Sequence, residues 1–381
     1  MKILICLNTA WNLLNFRSGL IRALVAEGHE VVAVAPYDEY AQRLRELGCR
    51  YIHLSMDNRG THPGRDLLLL LRFVRLFWIE RPDVYLGYTV KPNVYGSLAA
   101  RLLGVPVINN IAGLGTVFGT HGVVARIVHS LYKAALQASV KVFFQNADDR
   151  ELFIGRGLVN PGVAGLLPGS GIDLARFPMT ALPDNSQAPA KFRFLLVARM
   201  LWEKGVGEYV EAAKLLRVRF AEADFALLGF LDVQNPTAIN RAQMQEWIAA
   251  GNITYLGTSD DVRTELATSD CVVLPSYYRE GTPRTLLEAA ALGRPIITTD
   301  APGCRDVVED GSNGFLCRPR DAHDLAAKME AMMMLQPLER AKMGRLGRDK
   351  MEREFDEQFV IKKYLSEINS INIIDIKSQI Y

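Results

Sequence analysis

"MKILICLNTAWNLLNFRSGLIRALVAEGHEVVAVAP" spans Met1–Pro36. Its "KILICL" is a continuous apolar run, as expected of a strand buried on both faces. Residues 13–27 place apolar side chains at helical spacing and stop at Gly28, a common helix terminator. "EVVAVAP" supplies a second strand, closed by Pro36. Strand, helix and strand in this order build a parallel sheet with helices across its faces. Working outward, "YIHL", "DVYLGY", "VPVINNI", "VKVFFQ" and "AGLLPG" continue the strand series, each set off by a helical pattern or a Gly/Pro/Asn break.

The alternation lapses at "ALPDNSQAPAK", residues 181–191, which has no apolar period and reads as a linker. It restarts with "FRFLLVA", "DFALLG", "NITYLG", "DCVVLP", "RPIITT" and "GFLC". The expectation is two doubly wound α/β domains of Rossmann-like type, residues 1–180 and 191–355, facing across a cleft. A C-terminal helix at about 356–381 is expected to pack back on the first. In the charged tail, Phe355, Phe359, Ile361 and Tyr364 are the expected buried stripe. Ligands of such sheets bind outside the carboxyl ends of the strands.

The bulk numbers allow this and exclude other classes. The chain has 381 residues, enough for two domains at roughly 100–200 residues each. A net charge of +2 gives no general affinity for polyanions, so no nucleic-acid partner is expected. Five scattered cysteines fit a reduced, cytoplasmic chain, and without clustered Cys or His no metal is expected. The first apolar run is too short for a secretory signal, and the uncharged run 102–125 is broken by Pro106, Asn109, Asn110 and several glycines. A cytoplasmic protein, or one peripheral to the membrane, is expected.

Two stretches carry candidate chemistry. In "VARMLWEKGVGEYVEAA", residues 197–213, Arg199 stands at the carboxyl end of a strand, and Lys204 and Gly205 open the next helix. Cations and helix N–H groups at such a place suit a phosphate; the competing reading is a solvated lysine at a helix start. In "REGTPRTLLEAAALG", residues 279–293, Glu280 lies in a loop and Glu288 follows in a helix starting near Thr282 or Pro283. The N–H groups of Gly281 and Thr282 suit an anion or a sugar hydroxyl.

Arg199-x4-Lys204-Gly205, then Glu280-Gly281-Thr282-Pro283 and Glu288, resembles the signature of the family 4 retaining glycosyltransferases of the GT-B fold. That resemblance implies a nucleotide-sugar donor, no cofactor, and a catalytic set of Arg199, Lys204 and Glu280. It implies that Arg199 and Lys204 hold the donor diphosphate and stabilise the leaving group. Glu280 would take the hydroxyls of the transferred sugar and Glu288 those of the ribose, with Gly281, Thr282 and Pro283 completing the donor loop. One carboxylate thus serves each polyol flanking the diphosphate.

Residues 88–118, 143–153 and 302–316 are similar to bacterial transferases that extend polyprenyl-diphosphate-linked saccharides. This implies a UDP-sugar donor, commonly a UDP-N-acetylhexosamine, and a lipid-linked saccharide acceptor in surface-glycan or O-antigen assembly. Acceptor-side candidates are Arg17, Ser18, Lys91, Asn93, Asn110, Gly113 and Gly115. Two departures from the family stand out. The first strand–helix turn lacks a glycine pair and offers Asn8, Arg17 and Ser18, and "INNIAGLG" has no histidine, so no catalytic base is assigned.

The stretches 66–81 and 123–141 are apolar with scattered Arg and Lys. They are candidates for an anionic bilayer surface; the competing reading is crossover helices packed on the sheet. Rival functions remain: the same fold acting on a soluble sugar or sugar phosphate, a UDP-sugar 2-epimerase, and a non-catalytic sugar-binding protein. A dinucleotide oxidoreductase is disfavoured because no G-x-G-x-x-G follows the first strand.

Overall fold

The computed structural model describes residues 1–57, 62–114, 123–183 and 191–371. Among these, the strands form two sheets in which every pairing is parallel. The first contains β1 (Lys2–Cys6), β2 (Glu30–Ala35), β3 (Arg50–His53), β4 (Val84–Tyr88), β5 (Val107–Ile111), β6 (Lys141–Phe144) and β7 (Ala164–Leu166), in the order β3-β2-β1-β4-β5-β6-β7. The second contains β8 (Arg193–Val197), β9 (Asp224–Leu228), β10 (Thr254–Tyr255), β11 (Cys271–Leu274), β12 (Ile296–Thr299) and β13 (Gly314–Cys317), in the order β10-β9-β8-β11-β12-β13. In each sheet the winding reverses once, between β1 and β4 and between β8 and β11. A doubly wound sheet opens a crevice at that switch point.

The quoted opening behaves as its pattern dictates. β1 and β2 pair in parallel, Lys2 with Glu30 through Cys6 with Val34. Between them runs the helix Ala10–Ala26, whose first turn is capped by Thr9 Oγ1 accepting from the Asn12 N–H at 3.0 Å. The central strands are apolar on both faces because helices cover both. Ile3, Ile5 and Leu86 join one core cluster, and Leu4, Cys6 and Tyr85 another.

The chain divides into compact units at Met1–Gly171 with Glu357–Tyr381, and Ile172–Asp356. The first boundary therefore falls before the 180 expected from the sequence. Phe177 is buried in a core cluster of the second unit, and Arg294, fully buried, donates to Thr180 O at 2.5 Å and Ala181 O at 2.7 Å. Those contacts tie the segment to the second unit before the expected linker begins; residues 184–190 of that linker lie outside the described residues.

The tail departs from the expected stripe. Phe355 is buried in the second unit's core, while Phe359 is 37% exposed. In the helix Glu357–Ser370 the residues buried in the first unit's core are Val360, Ile361, Tyr364 and Ile368. The cause is Asp356, whose extended backbone (ψ 134°) interrupts the helix. A single helical phase cannot run from Phe355 onward.

Candidate functional site

At the β8/β11 switch point, the chain leaves β8 through Ala198 and the exposed Arg199, then makes one tight turn over Trp202–Lys204. The helix Val206–Arg217 starts after Gly205 rather than at Lys204, so Lys204 lies in the turn. Gly205 has φ +76°, a left-handed conformation that side chains resist, and a Cβ there would run into the Pro275 carbonyl oxygen. The glycine lets the β8 turn lie directly on the end of β11. Glu203 joins the two: its carbonyl oxygen accepts from both Tyr277 N–H and Tyr278 N–H at 3.0 Å.

That junction brings Lys204 and Glu280 together. Lys204 Nζ forms a salt bridge with Glu280 Oε1, with side-chain exposures of 13% and 11%. Ser276 Oγ, itself fully buried, lies 2.9 Å from Glu280 Oε1 and 3.2 Å from the Glu203 carbonyl oxygen. Its single proton serves one acceptor at a time. Lys204 Nζ also sits 5.1 Å from the centre of the Tyr278 ring. Burial raises the Tyr278 pKa, as does the Glu280 charge, while Arg199 lowers it, so both ionic groups act on this ring.

Gly281 and Thr282 are buried, and the loop after β12 presses on them. Gly303 has φ +79°, and a Cβ there would meet the Gly281 carbonyl oxygen. Pro283 caps the helix Arg284–Ala291 from outside rather than beginning it. Thr285 Oγ1 donates to the Val197 carbonyl at 3.1 Å, fixing this helix to the end of β8. Glu288 therefore lies along the same crevice edge, in an i,i+4 pair with Arg284 (Nε–Oε1 3.1 Å). Burial raises its pKa above the ordinary carboxylate value, and Arg284 opposes the rise. Arg199, Lys204, Glu280, Gly281, Thr282, Pro283 and Glu288 thus occupy one end of one sheet. Ser276, Glu203, Tyr278 and Arg284 complete the cluster and carry no distinctive local pattern in the sequence.

The β1/β4 switch point of the first unit is built differently. Arg17, only 4% exposed, lays its guanidinium 4.4 Å over the Tyr88 ring and donates to the Phe16 carbonyl at 3.2 Å. Its Nε has no hydrogen-bond partner. Ser18 is half-buried on the same helix. Asn93, Asn109 and Asn110 are buried and form a network. Asn109 Nδ2 donates to Asn93 Oδ1 (2.9 Å) and Ser97 Oγ (2.8 Å), and Asn93 Nδ2 donates to the Asn110 carbonyl (2.8 Å). Asn110 Nδ2 donates to Tyr364 Oη at 3.2 Å and Asn110 Oδ1 accepts from Gln145 Nε2 at 3.2 Å. The side chains of Asn93 and Asn110 are thus engaged in the fold's own hydrogen bonds.

Thr89, Asn93, Ile111, Gly113 and Tyr132 line a cavity of about 120 Å³. Thr89 has φ +61°, an uncommon backbone state for a β-branched residue. Lys91 turns away, pairing with the buried Asp66 at 2.7 Å. Gly115 lies outside the described residues. The sequence signal for this end was the Asn-Asn pair inside an otherwise apolar strand; nothing local marked Thr89.

Residues 16–169 match a family model described as "Glycosyl transferase 4-like domain", and residues 191–334 one described as "Glycosyl transferases group 1". The N,N'-diacetylbacillosaminyl-diphospho-undecaprenol alpha-1,3-N-acetylgalactosaminyltransferase of Campylobacter jejuni is 29% identical over 364 residues, covering 92% of this chain and 94% of the relative. The UDP-Gal:alpha-D-GlcNAc-diphosphoundecaprenol alpha-1,3-galactosyltransferase of Escherichia coli is 26% identical over 275 residues, 68% of each chain. Among solved structures, Anabaena Alr3699/HepE in complex with UDP-glucose superposes with a TM-score of 0.78 at 18% identity, over 97% of this chain and 100% of the other.

Proposed function

We propose that this chain, which belongs to the family 4 glycosyltransferases of GT-B fold, moves a sugar from a UDP-sugar to a saccharide carried on a polyprenyl diphosphate. The reaction would serve bacterial surface-glycan assembly. The observation that carries the donor side is the meeting of Lys204 and Glu280 at the β8/β11 switch point, with Arg199 at the strand end and Glu288 along the adjoining helix. Without a donor the two ionic groups satisfy each other. An entering diphosphate offers Lys204 and Arg199 a stronger partner, and Glu280 is then released to accept from the hydroxyls of the transferred sugar. Glu288 holds the ribose hydroxyls.

Arg199 and Lys204 stabilise the negative charge that develops on the departing UDP. Glu280 orients the sugar so that the acceptor hydroxyl approaches from the side the diphosphate leaves, which retains the anomeric configuration. The Campylobacter and Escherichia relatives are both named for undecaprenyl-diphospho-linked substrates, which supports a lipid-linked acceptor and a UDP-hexose or N-acetylhexosamine donor.

We place the protein at the cytoplasmic face of the membrane, peripherally attached. No described helix is long and apolar enough to cross a membrane. The helix Pro63–Glu80 buries Leu69, Phe73, Leu76 and Phe77, yet leaves Leu67, Leu71, Trp78 and Ile79 exposed beside Arg75. The two readings of this stretch therefore do not exclude each other: one face is core and the other suits a bilayer surface.

The test is to incubate the protein with a panel of UDP-sugars and a polyprenyl-diphosphate saccharide, follow UDP release, and determine the product mass and anomer. Stoichiometric UDP and a lengthened glycan of retained configuration are expected. An inverted product would refute the mechanism, and equal transfer to a free soluble sugar would transfer the assignment to that acceptor.

A further inference from the structure

Beside the pair of Lys204 and Glu280 lies a neutral group, the hydroxyl of Ser276. Ser276 stands just past the end of β11 and is fully buried. Its backbone is fixed from β12, because the Thr299 hydroxyl, also fully buried, donates to the Ser276 carbonyl. Glu280 is fixed a short way along the same loop by its own N–H, which donates to the Tyr278 carbonyl at 2.8 Å. Between these anchored residues, Ser276 Oγ lies 2.9 Å from Glu280 Oε1, the same oxygen that meets Lys204.

The single hydroxyl proton has two acceptors in reach, and they are not equal. The Glu203 carbonyl, at 3.2 Å, already accepts from the Tyr277 and Tyr278 N–H groups at 3.0 Å, which fills both of its lone pairs. Glu280 Oε1 is nearer and charged, and a hydrogen bond to an ionised acceptor is roughly twice as strong as a neutral one. The proton therefore points at Glu280.

We propose that Ser276 is the positioning residue for Glu280, holding its carboxylate in place when a donor diphosphate draws Lys204 away. The inference rests on the exchange of Lys204 between Glu280 and the diphosphate given in the preceding section, and adds what keeps Glu280 from following its partner. A mostly buried carboxylate that gives up a cation is costly unless another donor stays on it. Ser276 cannot follow the diphosphate, since it is neutral, fully buried and tied to the ends of β11 and β12. One bond to Glu280 Oε1 thus outlasts the exchange. The carboxylate then meets the sugar hydroxyls in an orientation that the fold sets, not one that the departing lysine leaves behind.

The experiment measures kcat/KM for the donor that the UDP-sugar panel selects, and Kd for UDP alone. It does so in the wild type, Ser276→Ala, Glu280→Ala and the double variant. Ser276→Ala removes one hydroxyl from a packed site without adding bulk. It should lower kcat/KM by about tenfold or more, as expected for a lost hydrogen bond to a charged group. Kd for UDP, which brings no sugar for Glu280 to hold, should change much less, and its retention reports an intact fold. In the Glu280→Ala background the serine substitution should cost nothing further, because its effect passes through that carboxylate.

Wild-type kcat/KM in Ser276→Ala would overturn the proposal. So would equal losses of kcat/KM and of UDP affinity, which mark a purely structural role, or an undiminished further loss in the Glu280→Ala background. A failure of the underlying reading looks different. Glu280→Ala alone would then keep wild-type kcat/KM, and the positioning role would fall with it, before the serine is touched.

Discussion

The two switch points share a topology and differ in chemistry. At the β8/β11 switch point the polar groups are ionic pairs, mostly buried: Lys204 with Glu280 and Arg284 with Glu288, with Arg199 exposed at the strand end. At the β1/β4 switch point they are amides bonded to one another, with Arg17 buried over the Tyr88 ring. An ionic pair is exchangeable, because a charged ligand can take over either partner. A buried amide network is not, since each group left unsatisfied costs about 1–3 kcal/mol. On the proposed function, the second unit's ionic pairs trade partners with a diphosphate, while the first unit's amide network holds its surface still.

The largest effect should come from the exchangeable side. Lys204→Ala removes a cation from the leaving group and should lower kcat about 10²–10³-fold; it also takes the paired cation from the mostly buried Glu280, so the melting temperature should fall as well. A steady-state assay with a thermal melt checks both halves, and Lys204→Ala with wild-type kcat would remove the cation from the chemistry and erase the contrast. On the other side, Arg17→Met removes the cation stacked on Tyr88 and should cost about 1–2 kcal/mol of stability, read by urea unfolding. Tyr364→Phe is smaller still. It leaves Asn110 Nδ2 without its acceptor and should cost about 1 kcal/mol, while UDP binding stays as in the wild type.

The smallest effect is a pH dependence. Glu288 has its pKa raised by burial, so as pH falls it takes up its proton earlier than an ordinary carboxylate. UDP affinity should decline over that same range, by a few-fold, and Glu288→Gln should flatten the decline. The stability sign is opposite. A raised folded pKa means the fold favours the protonated form, so that contribution is present at low pH and is lost as pH rises through the folded value. Titrating UDP across pH with both proteins checks the first effect, and thermal melts across pH check the second.

Much of this was legible in the sequence because periodicity and strand–loop–helix spacing are local. Continuous apolar runs between helical patterns gave both parallel sheets. Arg199, Lys204, Glu280 and Glu288 stood out as charged residues at strand ends or inside an apolar helix. The parts that were not legible depend on contacts distant in sequence. The pairing of Lys204 with Glu280 spans the switch point, and the roles of Ser276 and of the Glu203 carbonyl follow only once β8 lies beside β11. Arg17 looked like an available cation in the first turn, but the fold lays it on Tyr88. Phe359 looked buried because the apolar pattern runs unbroken through Asp356, where the backbone does not.

The most direct test of this division is the affinity for UDP, measured by isothermal titration on the wild type, Lys204→Ala and Arg17→Met side by side. Lys204→Ala should bind UDP about tenfold more weakly or worse, as expected for loss of a charge-assisted contact, and Arg17→Met should match the wild type. Wild-type affinity in Lys204→Ala, or an equal loss in both variants, would contradict a donor site built on the second switch point alone.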